Sequence, residues 1–233
     1  MGWRSWNAFH QYISQPVLTK VIDALAAKNR TVAGEPRPVS LAELGYTSFG
    51  IDEGWAQCGV GQHDKSGNPT INETRFPNMT GLVQYAHDRN LTAEWYMNGC
   101  GCVGPDNNPG SLQNYQGDVA AIRRHGFDGV KFDGCGKNEN LTLYAELLHA
   151  SVVPTQPNEG EVLIENCHWG LCAATQMGPS GTLSPSRNYM RGRDNSSCPT
   201  LDFCPYNTYR ISGDINNSSG ILPDPCHKLV SAP

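Results

Sequence analysis

The chain has 233 residues, of which 38% are hydrophobic and 17% are charged, so it is long enough to form one sizeable core. Its formal net charge of -5 excludes the strongly basic composition typical of nucleic-acid-binding domains, and we predict no nucleic-acid partner. No apolar run approaches the ~20 residues that cross a bilayer, so the sequence also predicts no membrane-spanning helix and no membrane partner.

Short β-like segments alternate with amphipathic segments along the chain, which is the pattern of an α/β fold with parallel strands. The predicted strands are residues 2–8, 46–53, 92–98, 129–133, 162–167 and 209–214. Apolar residues at helical spacing predict helices around 21–25, 82–86, 112–122 and 141–152. For the third helix, Ser111 is the predicted N-cap and Gly126 follows the last turn. Loops are predicted at 103–110 and 173–203.

Polar side chains end five of the six predicted strands. They are Asp52 and Glu53, Asn98, Asp133, Asn166 and Asp214. Because the carboxyl ends of parallel strands meet at one edge of a sheet, and ligands bind at that edge, these residues predict a single site.

Two of these strands each carry an acid and a base on one face, since residues i and i+2 of a strand point the same way. Lys131 would lower the pKa of Asp133, which suits a nucleophile. Near Asp214, a second carboxylate would raise the pKa and Arg210 would lower it, and the sequence leaves this balance open. Glycoside hydrolases use a pair of carboxyl groups of this kind, one ionised and one able to donate a proton.

Two further side chains are predicted on the inner face of the third strand. Tyr96, together with Trp6, is predicted to present a ring to the apolar face of a sugar. Glu94 lies on the same face as Tyr96, and a buried carboxylate needs a partner, for which Lys131 is the candidate.

Nine cysteines and eight Asn-x-Ser/Thr sequons indicate secretion, although residues 1–6 show no basic and apolar leader. The cysteines lack the paired Cys-x2-Cys spacing of zinc sites, so disulfides are the better interpretation. The sequons begin at Asn29, Asn72, Asn78, Asn90, Asn140, Asn195, Asn216 and Asn217.

Six segments together resemble glycoside hydrolase family 27, the α-galactosidases and α-N-acetylgalactosaminidases. They are residues 1–7 (MGWRSWN), 51–55 (IDEGW), 95–102 (WYMNGCGC), 131–135 (KFDGC), 164–169 (IENCHW) and 209–215 (YRISGDI). The fourth segment resembles the family's nucleophile motif and is the most specific single match. All six occur in the family's order, over nearly the whole chain.

The resemblance implies a (β/α)8 TIM barrel and a retaining double displacement, with Asp133 as nucleophile and Asp214 as general acid/base about 5–5.5 Å apart. It implies no metal or organic cofactor, and a galactose-containing oligosaccharide or glycoconjugate as the partner. Sugar-binding positions are Trp6, Asp52, Glu53, Tyr96, Lys131, His168 and Arg210, although galactosidases often have an acid at the position of His168. The implied disulfides join Cys135 to Cys100 or Cys102, and Cys167 to Cys204.

The family pattern is incomplete here, so we expect about six of the eight βα units. Residues 1–215 would form a partial catalytic barrel and residues 216–233 an irregular tail, without the family's last two strands and C-terminal β-sandwich. We therefore expect little turnover from this chain alone. Alternatives are an α-N-acetylgalactosaminidase or related pyranosidase, a carbohydrate-binding pseudoenzyme, or a disulfide-rich structural glycoprotein. The expected compartment is extracellular, lysosomal or vacuolar.

Overall fold

A computed structural model describes residues 1–58, 62–98, 111–133, 140–151, 161–167, 176–177, 183–184, 207–209 and 230–231. The strands are β1 (Gly2–Arg4), β2 (Ser48–Gly50), β3 (Thr92–Met97), β4 (Gly129–Asp133), β5 (Leu163–Cys167), β6 (Gln176–Met177), β7 (Leu183–Ser184), β8 (Thr208–Tyr209) and β9 (Val230–Ser231). The helices are α1 (Trp6–Phe9), α2 (Gln15–Ala26), α3 (Met79–His87), α4 (Leu112–His125) and α5 (Leu141–Ala150).

One parallel sheet organises the molecule. Strands β1 to β5 lie side by side in chain order, and β8 follows β5 in the same direction. At the far end β9 pairs with β8 in the antiparallel direction. Helices α2 to α5 are interleaved with the strands, and the sheet curls into part of a barrel. The predicted α/β fold, an incomplete (β/α)8 barrel, is confirmed.

The apolar core lies between the sheet and the helices. Phe49, Trp95 and Phe132 project from β2, β3 and β4 and are fully buried. The ring of Phe132 stacks on Tyr144 of α5 with 3.9 Å between ring centroids. Side chains alternate along a strand, so the other face of the sheet carries the neighbouring polar residues into the barrel interior.

The predicted limits of α4 are those of the structure. The Ser111 hydroxyl accepts a hydrogen bond from the Asn114 N–H at 3.2 Å. Gly126 adopts a left-handed conformation with φ of 80° and donates its N–H to Ile122 and Arg123, which ends the helix.

The strand predicted at residues 2–8 is too long. The ladder to β2 ends where the Ser5 N–H donates to the Gly50 carbonyl, and the Ser5 carbonyl then accepts the N–H groups of Ala8 and Phe9. Trp6 therefore lies in a short helix, α1. Likewise, β2 covers only three of the eight residues predicted at 46–53.

Two other regions contain short strands that their composition does not predict. Gln176–Met177 pairs with Leu183–Ser184 inside the predicted loop 173–203. Val230–Ser231 lies in the predicted tail. The domain limits stay a prediction. Among the helices described here, none combines the length and the apolar character needed to cross a bilayer.

Candidate active site

The curled sheet brings together five of the residues predicted to form the site. Tyr96 on β3 lies beside Lys131 on β4 in the strand register, and Asp133 ends β4. Asp52 and Glu53 directly follow the buried Ile51 beyond the end of β2. Contacts among these side chains form a polar cluster at the carboxyl edge of the sheet, where a parallel α/β fold binds its ligand.

Tyr96 connects two of the carboxyl groups. Its hydroxyl donates a hydrogen bond of 2.6 Å to Oδ2 of Asp133 and lies 3.2 Å from Oε2 of Glu53. Since a phenol has one proton, the shorter contact takes it. The amide nitrogen of Asn98 donates to Glu53 Oε2 at 2.6 Å and to the Tyr96 oxygen at 3.1 Å. The Trp55 indole donates to the Tyr96 carbonyl at 2.8 Å, which fastens the segment that follows Glu53 to β3.

Burial and charge together shift two pKa values in this cluster. Burial of Glu53 raises its pKa and outweighs the contact with the Tyr96 hydroxyl and the hydrogen bond from Asn98, which lower it. Burial and the charge of Asp133 raise the pKa of the Tyr96 phenol, so Tyr96 is a hydrogen-bond donor at all ordinary pH values. A small cavity of about 10 Å³ lies beside Glu53, Tyr96, Asn98 and Gln62.

Asp52 and Lys131 form a second, deeper pair. The ammonium group donates to Asp52 Oδ2 at 2.8 Å, and both side chains are buried. Burial alone would lower the pKa of Lys131, but the neighbouring Cys167 and Asp52 outweigh it and leave the pKa raised. The backbone N–H of Asp52 donates to the Ser5 hydroxyl at 2.9 Å, which ties this turn to the end of β1. Among the described residues, the ion pair of Lys131 is therefore with Asp52, whereas the sequence predicts Asp133.

Arg4 makes a further ionic cluster one layer deeper in the barrel. Its Nη2 atom lies 2.6 Å from a carboxylate oxygen of Glu94 on β3 and 2.6 Å from one of Glu165 on β5. Its Nη1 atom donates to the Ile51 carbonyl at 3.2 Å and lies 3.5 Å from the Trp95 carbonyl. These two carbonyls directly precede site residues in the chain, so Arg4 holds the backbone that positions them.

The predicted partner of Glu94 is therefore wrong. Glu94 pairs with Arg4 and accepts a short hydrogen bond from the Ser48 hydroxyl, whereas Lys131 is taken by Asp52. The physical reason is the register, which places Arg4, Gly50 and Glu94 at one level of the barrel and Lys131 at the next.

Two other predicted residues lie within the described chain. Trp6 is half-buried in α1, and its ring makes an edge contact with His10 at 5.2 Å between centroids. Cys167 is buried at the end of β5. Cys58, which the prediction does not include, is disulfide-bonded. No group of three His, Cys, Asp or Glu side chains suited to a metal ion occurs in the described part of the chain.

The remaining predicted site residues lie outside the described residues, and their roles and pairings stay predictions. They are Cys100, Cys102, Cys135, His168, Cys204, Arg210 and Asp214.

The sequence places Asn98 at the predicted site but does not predict its contacts, and it misses the role of Arg4. Asn98 is recognisable as a polar strand end, but the sequence gives no sign that its amide nitrogen bonds both Glu53 and Tyr96. Arg4 lies in a segment used only for the family resemblance. Because side chains alternate along a strand, the position of Arg4 next to Trp3 could have predicted that the Arg4 side chain points inward.

The chain is similar in sequence to known α-galactosidases. The Melibiase_2 family model, described as alpha galactosidase A, matches residues 1–191. An α-galactosidase of Oryza sativa subsp. japonica is 27% identical over 171 residues, which is 73% of this chain and 37% of the relative. An α-galactosidase of Cyamopsis tetragonoloba is 28% identical over 179 residues, 73% of this chain and 38% of the relative. The chain thus spans less than two fifths of the length of these curated relatives.

Solved structures share the fold. The α-galactosidase of Saccharomyces cerevisiae, solved with raffinose, has a TM-score of 0.56 at 20% identity, covering 73% of this chain and 35% of that one. A β-L-arabinopyranosidase of Geobacillus stearothermophilus has a TM-score of 0.57 at 12% identity, covering 92% of this chain and 53% of that one. With the family model matching more than three quarters of its length, the chain belongs to the alpha galactosidase A family, within glycoside hydrolase family 27.

Proposed function

We propose that the chain is the nucleophile-bearing part of a retaining glycoside hydrolase that acts on terminal α-galactosides. The observation that supports this most directly is the position of Asp133. It ends a central barrel strand at the ligand-binding edge, is only partly buried, and accepts the Tyr96 proton at 2.6 Å. That hydrogen bond holds the carboxyl group in one orientation, and a nucleophile must be positioned in this way.

The proposed reaction has two steps. Asp133 attacks the anomeric carbon while Asp214 donates a proton to the departing oxygen, which gives a covalent glycosyl-enzyme. Asp214 then removes a proton from water, the water attacks the same carbon, and Asp133 leaves as a carboxylate. Tyr96 favours this second step because negative charge returns to the oxygen that it contacts. The role of Asp214 is carried over from the family resemblance.

The cluster next to Asp133 provides the proposed contacts to sugar hydroxyl groups. Asp52 and Glu53 offer carboxylate acceptors, and Lys131 and Asn98 offer donors that are already held in place. A rigid set of this kind selects one arrangement of sugar hydroxyls. A sugar that lacks one of these hydroxyls would leave a buried polar group of the protein unpaired. Trp6, His168 and Arg210 are the remaining proposed sugar contacts.

Hydrolysis of paired chromogenic α-galactoside and α-N-acetylgalactosaminide substrates by the 233-residue protein tests the proposal. Because the barrel is incomplete, we expect weak α-galactoside turnover that is lost in Asp133→Asn and in Asp214→Asn. Asp88→Asn, an exposed acid at the end of α3, is the matched control. Turnover that survives in Asp133→Asn would refute the assignment of the nucleophile.

Calorimetry with galactose separates the alternatives. Galactose binding without turnover, in a folded protein, would select the carbohydrate-binding pseudoenzyme. Preferential hydrolysis of the N-acetylgalactosaminide would select the other activity in the family. Neither binding nor turnover by the folded chain would contradict the proposed function.

A further inference from the structure

Five of the eight sequons have their asparagine in the described part of the chain, and the fold divides these five between two ends of the barrel. Asn72, Asn78 and Asn140 precede helices, on the side where strands end and the candidate site lies. Asn29 and Asn90 follow α2 and α3 and precede β2 and β3, on the side where strands begin. In a β/α barrel these are opposite faces.

The three asparagines on the site side have bound carboxamide groups. Asn78 is the N-cap of α3, and its Oδ1 atom accepts the Gly81 N–H at 2.8 Å. Asn140 is the N-cap of α5 and accepts the Leu143 N–H at 3.0 Å. Asn72 accepts the Arg75 N–H at 3.0 Å, and Asn72 and Asn140 are both half-buried. A glycan is attached through Nδ2, so at Asn72 and Asn140 it would have to fit beside a half-buried side chain, whereas Asn78 is exposed.

Asn90 is built differently. It is exposed and adopts a left-handed conformation, with φ of 57°, just past the end of α3. Its N–H donates to the His87 carbonyl at 2.9 Å, and the next N–H, from the buried Leu91, donates to the Ala86 carbonyl at 3.1 Å. This is the hydrogen-bond pattern of a Schellman motif. The backbone is therefore fixed, while the side chain is exposed.

Asn29 is also exposed and follows α2. The neighbouring Arg30 caps this helix by donating to the Ala27 and Ala24 carbonyls at 3.0 and 2.9 Å, and it contacts Asn29 Oδ1 at 3.2 Å. Only the oxygen of the Asn29 carboxamide is engaged, and by a side chain that is itself anchored elsewhere. The hydroxyl-bearing residue of this sequon, Thr31, is exposed as well.

We propose that Asn29 and Asn90 carry N-linked glycans, and that the half-buried Asn72 and Asn140 do not. In the transfer, Nδ2 of each asparagine forms a bond to the anomeric carbon of a lipid-diphosphate-linked oligosaccharide. The bond from that carbon to the diphosphate oxygen breaks, the diphosphate leaves with the electron pair, and the amide nitrogen loses one proton. Both glycans lie on the face opposite the candidate site, so they leave the sugar-binding edge open.

Site-specific occupancy tests the proposal. The full chain is directed into the secretory pathway of a eukaryotic host by a secretion leader, and secreted and intracellular pools are both analysed. Enzymatic deglycosylation in ¹⁸O-water converts each glycosylated asparagine into a labelled aspartate, which peptide mass spectrometry measures. We expect most copies to be labelled at Asn29 and Asn90 and few at Asn72 and Asn140. Equal labelling at Asn29, Asn90, Asn72 and Asn140, or no label at Asn29 and Asn90, would overturn it.

Matched variants at the hydroxyl residues remove or keep each sequon without changing the asparagine. Thr31→Val and Thr92→Val should each remove one glycan, seen as one step in electrophoretic mobility. Thr31→Ser and Thr92→Ser keep the sequon and should keep the glycan. Loss of the glycan in a serine variant, or its retention in a valine variant, would contradict the assignment. These readouts do not depend on hydrolase activity, so they stand or fall separately from the proposed function.

Discussion

The Tyr96 hydroxyl donates its proton to Asp133 at 2.6 Å, although Glu53 lies only 3.2 Å from the same oxygen. The distinction matters because a phenol has a single proton, so its hydrogen bond goes to only one of the two carboxyl groups. Tyr96 thereby gives the two carboxyl groups different environments, and it does so from the adjacent strand, where the register keeps it fixed.

Tyr96→Phe should reduce the kcat of α-galactoside hydrolysis by about 10- to 100-fold, equivalent to about 1.5–3 kcal/mol for a hydrogen bond to a charged group. The loss would come from the step in which Asp133 leaves as a carboxylate. Steady-state kinetics would measure it. Tyr85→Phe removes a hydroxyl that bonds the exposed Asp23 and should leave kcat unchanged. An unchanged kcat in Tyr96→Phe would show that this hydrogen bond has no catalytic role.

Lys131→Met should destabilise the protein by about 3–5 kcal/mol, because it leaves the buried Asp52 without its counter-ion. Urea unfolding followed by tryptophan fluorescence would measure the change. Adding Asp52→Asn should recover much of the loss, since the buried charge is then gone. Lys28→Met breaks an exposed pair with Glu43 and should cost no more than about 1 kcal/mol. Equal effects of the two lysine variants would contradict the role of burial.

Arg4→Met should also destabilise the barrel, because Glu94 and Glu165 would face each other without the guanidinium group. Arg4→Lys should recover only part of the loss, since its three donors share one nitrogen, whereas Arg4 binds the two carboxylates and the Ile51 carbonyl from two separate nitrogens of a planar group. We would measure the unfolding free energies of these variants and of a triple variant that combines Arg4→Met with Glu94→Gln and Glu165→Gln. A triple variant less stable than Arg4→Met would show that charge repulsion is not the cause.

His125 should make the stability of the protein depend on pH. Burial, aided by the charge of Arg124, lowers the pKa of His125 to about 4, from about 6.5 in the unfolded chain. The unfolded state therefore binds more protons between these pH values, and stability falls as pH decreases from about 6.5 to about 4.

Melting temperatures measured across that pH range would test the role of His125. His125→Gln should show a shallower decline than the parent protein, and the exposed His149→Gln should decline as the parent does. If His125→Gln and the parent protein decline in parallel, the buried imidazole is not the group responsible.

Much of the fold follows from patterns that a single strand or helix displays on its own. The strand at 129–133 and the helix limits at Ser111 and Gly126 match the prediction, because alternation and capping are local properties. The strand predicted at 2–8 fails because apolar residues in a helical turn and in a strand look alike over so short a segment. Only the tertiary bond from Ser5 to Gly50 decides where β1 ends.

The composition of the candidate site was predictable, but its pairings were not. Acids at strand ends indicate which residues meet, and Asp52, Glu53, Tyr96, Lys131 and Asp133 do contact one another in the structure. Which base binds which acid depends on how the strands are staggered across the barrel. That offset is a property of the whole sheet.

The polar interior of the barrel also has a consequence for folding errors. In most sheets a strand that shifts by one position exchanges apolar for polar residues on a half-exposed surface. In this barrel, the same shift in β3 or β4 would move Glu94 or Lys131 into the apolar layer that holds Trp95 and Phe132. The tryptophan or phenylalanine would in turn move among the charged side chains of the barrel interior. A misaligned strand is therefore destabilised twice, by a buried charge in the apolar layer and by an apolar ring among the charges. The charged residues thereby favour the correct strand register.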